Sequence, residues 1–60
     1  MKWKCWSPTR GERLATFTSI KEIRANVHRE PDRWNILIDA PTLFMFMILS
    51  NNNLVIYYQT

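Results

Sequence analysis

The chain has 60 residues, 47% of them hydrophobic, and 8 Lys and Arg against 5 Asp and Glu give a formal charge of +3. A chain this short buries only about 60% of the surface its unfolded form exposes. That leaves room for one small domain over 1–60, complete or a minimal or truncated version of a larger one, and excludes an enzyme built around a deep, dry pocket.

The first segment, Lys2 to Trp6, alternates with Trp3 and Cys5 on one side and Lys2, Lys4 and Trp6 on the other, the period of a strand. Pro8 and Gly11 supply turn chemistry after it, and Arg13 to Phe17 is expected to return as a second strand. Ser19 stands three residues before Glu22, the capping-box spacing, so a helix is predicted from Ile20. Its apolar positions Ile20, Ile23 and Val27 fall within about 60° of one another on a helical wheel, and Pro31 disfavours helical geometry at Glu30.

A third strand is expected over Trp34 to Asp39, with Trp34, Ile36 and Ile38 on one face and Asn35, Leu37 and Asp39 on the other. Proline cannot donate to a sheet ladder, so Ala40-Pro41 marks a break. Leu43 to Leu49 and Leu54 to Tyr58 then read as strands four and five, joined by a two-residue turn at Asn51-Asn52. In that register Met47 faces Ile56 and Met45 faces Tyr58, while Phe46 faces Tyr57 on the opposite side. The expected fold is α+β, in the order ββαβββ: a mostly antiparallel sheet with one helix packed on one face.

Both faces of the hairpin are apolar, and a three-turn helix covers only one of them. An uncovered apolar face of that extent marks a contact surface. A partner is therefore expected: another protein or a second copy of the chain. The inference fails if Phe44, Met45, Phe46 and Met47 are all sealed within one protomer. Self-pairing is the third reading, with the lysines of strand one guarding that edge and the C-terminal strand left as the pairing edge.

No chemistry-bearing constellation emerges. Cys5 is the one thiol, so neither an internal disulfide nor a multi-thiolate zinc site can form. As a nucleophile it needs His28, the one imidazole, within reach; a small buried hydrophobe is the simpler reading. His28 and Glu30 project about 200° apart on a helix, and Pro31 separates Glu30 from Asp32, so these three make a poor metal site. One glycine in the chain gives no phosphate-cradling loop. We expect no catalytic residues, no metal ligands and no cofactor.

Lys21, Arg24 and His28 recur at helical spacing along one border of the apolar stripe, either as an acid-contacting edge or as a solvated flank. Alternation forbids all the aromatics from facing inward, which leaves Trp6 and Tyr57 as candidates for an outer, partner-binding face. The candidate partner-binding set is thus Trp6, Arg24, His28 and Tyr57. A basic nucleic-acid module acting through Lys2, Lys4, Lys21 and Arg24 is the alternative, and salt dependence would expose it. The N-terminus carries no apolar leader, and Leu43 to Leu49 is far shorter than the ~18 residues of a membrane span, so a cytoplasmic protein is expected.

The Trp-bearing first strand, the short hairpin, the helix start Thr18-Ser19-Ile20-Lys21-Glu22-Ile23 and the Leu43 to Tyr58 hairpin together resemble small immunity proteins of bacterial polymorphic toxin systems, the family paired with deaminase-type toxins. The resemblance implies an α+β fold and a non-catalytic inhibitor that blocks a cognate toxin by surface contact. The chain departs from that pattern in being short and basic.

Overall fold

In a computed structural model, which describes residues 2–15 and 20–59, the strands are β1 (Trp3–Ser7), β2 (Gly11–Leu14), β3 (Trp34–Ala40), β4 (Leu43–Ile48) and β5 (Asn53–Gln59), with helix α1 at Ile20–Arg29 between β2 and β3. All neighbours pair antiparallel in one open sheet of order β2-β1-β5-β4-β3. The expected ββαβββ fold is the one observed. The spatial order was not expected: β5 lies in the middle of the sheet, between β1 and β4, and the edges are β2 and β3. The C-terminal strand is therefore not a pairing edge, and the strand-one lysines guard none.

Gly11 pairs with Ser7 and adopts φ 68°, closing a three-residue loop over Pro8-Thr9-Arg10. Among the described residues beyond its chain neighbours, no atom lies within 4 Å of where its Cβ would be, so backbone conformation and not space requires glycine here. Strand β2 starts and ends earlier than expected, at Gly11–Leu14; Phe17 and Ser19, the cap expected from the sequence, lie outside the described residues.

Helix α1 lays Ile20, Ile23 and Val27 on the sheet as their spacing predicts. Glu22 in the first turn and His28 and Arg29 in the last complement its dipole. Underneath, Val27, Phe44 and Phe46 form the buried centre, with Trp34, Ile36, Ile48, Val55 and Tyr57 packed around it. Trp34 meets Phe46 edge to face at 5.3 Å between centroids, and Phe44 and Phe46 lie 5.4 Å apart, both favourable aromatic geometries.

Two registers differ from expectation. The β4–β5 hairpin pairs Phe46 with Val55, Met45 with Ile56 and Leu43 with Tyr58, a slip of two residues that lengthens the connection to Leu49–Asn52. Asn52 takes the left-handed conformation, φ 57°, and the Asn51 Oδ1 accepts from the Asn53 N–H at 3.0 Å. This Asx turn uses both asparagines in a longer loop than the tight turn foreseen. A shift of two keeps every side chain on its face, because the pleat repeats every two residues.

In β3 the pairing jumps between Ile36 and Ile38, a bulge. Beyond it Ile38 pairs with Met45 and Asp39 with Phe44, so these two exchange the sides that simple alternation assigned them.

Candidate functional site

Cross-strand partners share a face, so the registers fix which side chains stand together. On the side away from α1, one row runs Glu12, Trp6, Ile56, Met45 and Ile38 across all five strands. The flanking rows are Leu14, Lys4, Tyr58, Leu43 and Ala40, and Leu54, Met47 and Asn35. Nothing among the described elements covers this face. Trp6, Met45, Met47, Leu54 and Ile56 are half-buried by their neighbours within the sheet alone, and Leu14 and Ile38 are 56% and 38% exposed. On the helix side, by contrast, Phe44 is 0% and Phe46 5% exposed. Phe44 and Phe46 are sealed, Met45 and Met47 are not, and the condition that would have removed the uncovered face is not met.

The charged groups of the uncovered face are gathered at one corner, away from Asn35 on the opposite edge. Lys4 Nζ sits 3.2 Å from Glu12 Oε1, and the Tyr58 hydroxyl donates to Glu12 Oε2. Those contacts hold the Glu12 carboxyl below its ordinary range, first through the Tyr58 hydrogen bond and then through Lys4. Tyr58 is pushed up in return, because ionising it would break that bond beside a carboxylate. Apart from Asn35, the rest of the face presents apolar side chains with a neutralised ion pair at its border.

The four sequence-derived binding residues do not share one surface. Trp6 stands on the uncovered face, as expected. Tyr57 pairs with Cys5 and Phe44 on the helix side and packs against the buried cluster. Arg24 and His28 are held by Asp39 at the β3 end of the sheet: Arg24 Nε lies 3.0 Å and His28 Nε2 2.9 Å from its two carboxylate oxygens. Arg24 also donates to the Ala40 carbonyl and lies 5.6 Å from the Phe44 ring centroid. These two side chains tie α1 to the end of β3, and the bulge is what brings Asp39 to them. Simple alternation had turned Asp39 away, so this latch was missed.

The alternative basic set is also split, since Lys4 and Arg24 lie on opposite sides of the sheet and both are ion-paired. Cys5 and His28 do not meet either: the thiol is buried beside the Tyr57 hydroxyl, to which it is hydrogen-bonded, while His28 is occupied by Asp39. Burial chiefly, and then Cys5, push the Tyr57 hydroxyl up. Among the described residues no group of three potential metal ligands forms, and no helix is long and apolar enough to cross a membrane.

No family model matches the chain, and neither a curated protein nor a solved structure is significantly similar to it. The functional reading therefore rests on the geometry.

Proposed function

We propose that this chain is a small, non-catalytic protein that acts by contact with another protein through the helix-free face of its sheet. One observation carries the reading: Trp6, Met45, Met47, Leu54 and Ile56 form a continuous apolar surface that the chain's own helix leaves open. Contiguous apolar surface of this kind costs solubility unless something covers it. A tryptophan on a face shared with methionines and aliphatic side chains is the composition of an interface anchor and its adaptable surround. Inhibition of a toxin, as the resemblance to immunity proteins implies, is the specific form we favour. The Lys4–Glu12 pair at the rim would fix orientation more than affinity.

The test is a paired capture experiment with the intact chain. Met45→Asp and Trp6→Ala disturb the helix-free face, while Lys21→Asp changes an exposed position on α1. Partner capture is expected to be lost in the first two and kept in the third, with the circular dichroism of all three unchanged. Capture that survives Met45→Asp and Trp6→Ala rejects this face. Tyr57→Ala is not a useful probe of binding, since that ring supports the core.

A further inference from the structure

The helix covers only part of its own side of the sheet. Val27 and the Asp39 latch place α1 over β3 and β4, and beside it, over β1 and β5, a groove of about 350 Å³ remains. Its lining among the described residues includes Arg10, Arg13, Trp34, Val55 and Tyr57. An adjoining hollow of about 420 Å³ shares Arg10, Arg13, Cys5 and Tyr57 with it. This volume is at the lower end of the range of small-molecule clefts, which are mostly apolar with a few polar groups converging.

Among the described residues, no carboxylate lines this groove or the adjoining hollow. Glu12 is committed to Lys4 and Tyr58 on the opposite face, Glu30 to Arg33, and Asp39 to Arg24 and His28. Arg10 comes from the β1–β2 loop and Arg13 from β2 beside Cys5, so one short hairpin delivers both guanidiniums to the rim of an aromatic floor. Guanidinium groups bind carboxylate and phosphate oxygens in a fixed fork, and an apolar floor strengthens the attraction by excluding water.

We propose that this groove binds a small organic anion, its carboxylate or phosphate group held by Arg10 and Arg13 and its flat apolar body resting against Trp34, Val55 and Tyr57. The site lies on the opposite side of the sheet from the protein-contact face, so each reading stands or falls without the other.

The Trp34 indole Nε1–H has no hydrogen-bond partner among the described residues, which makes its signal in an amide-correlation NMR spectrum a sensitive local reporter. Trp6, across the sheet, is the internal control. Titrating the intact chain with phenyl phosphate and with benzoate is expected to move the Trp34 signal saturably while Trp6 stays in place, and the tighter of the two names the preferred head group. Arg10→Gln and Arg13→Gln are each expected to weaken binding about tenfold, the loss of one charged hydrogen-bonding partner. Both side chains are exposed, so the variants should keep the parent spectrum, and Arg29→Gln, an exposed position on α1, serves as a variant outside the groove. The proposal is overturned if neither aryl anion shifts Trp34, if the shift persists unweakened in the double Arg variant, or if inorganic phosphate binds as tightly as phenyl phosphate, which would leave the aromatic floor without a role.

Discussion

The two sides of this sheet carry side chains of similar hydrophobicity and have opposite fates. Phe44 and Met45 are chain neighbours on β4, yet one is wholly buried under α1 and the other remains half-open on the far side. Burial here follows from where a ten-residue helix lies and not from hydropathy, since both side chains are strongly apolar. One face holds the domain together, and the other is free to meet a partner.

The largest expected effect contrasts those neighbours directly. Phe44→Ala should destabilise the fold by about 3–5 kcal/mol, because it removes a fully buried ring and leaves a cavity. Met45→Ala should cost about 1 kcal/mol or less, since its side chain already touches water. Urea unfolding of both variants checks this. Equal losses would mean that the far face is sealed in solution, and the contrast between the faces would disappear.

A smaller effect tests the attachment of the helix. Asp39→Ala removes the carboxylate that holds Arg24 and His28, at a cost on the order of 1 kcal/mol because the group is partly exposed. Faster hydrogen exchange should appear in α1 first, with the β1–β5 amides unchanged. Uniform acceleration across the sheet would show that the latch is not local.

The smallest effect lies on the uncovered face, where Glu12 is depressed and Tyr58 raised. A carboxyl depressed in the folded state contributes stability that is present above its ordinary value of 4.5 and fades as pH falls through the lower folded value. A raised tyrosine contributes below its ordinary value of 10.0 and loses that contribution as pH rises through the higher folded one. Thermal midpoints measured against pH should therefore show a weak acid limb that Glu12→Gln removes. Tyr58→Phe should reduce the alkaline limb without abolishing it, because Tyr57 is raised as well. An acid limb unchanged in Glu12→Gln would show that the Lys4–Glu12–Tyr58 corner adds nothing.

Much of this was legible in residue order alone. Trp3, Cys5 and Trp6 fall on the sides that alternation assigns, and Ile20, Ile23 and Val27 meet the sheet as their spacing requires. The uncovered face was also legible, because it depends only on parity along β4 and β5. Residue order does not suffice wherever a distant partner defines the position. Nothing within β3 announces the bulge after Ile36, which turns Asp39 toward Arg24 and His28 and puts Ile38 outside. Nothing in β5 itself shows that β1 inserts beside it and sets Tyr57 with Cys5 on the helix side, away from Trp6.

Local periodicity determined the elements, the apolar character of both sheet faces and the helical stripe, since each depends on residues a few positions apart along one stretch of chain. Tertiary structure decided that β1 inserts against β5, that the bulge delivers Asp39 to the helix, and that Arg10 and Arg13 overlook an aromatic floor. Those outcomes depend on contacts between distant segments, whose free energies are settled only when the competing pairings are packed against one another.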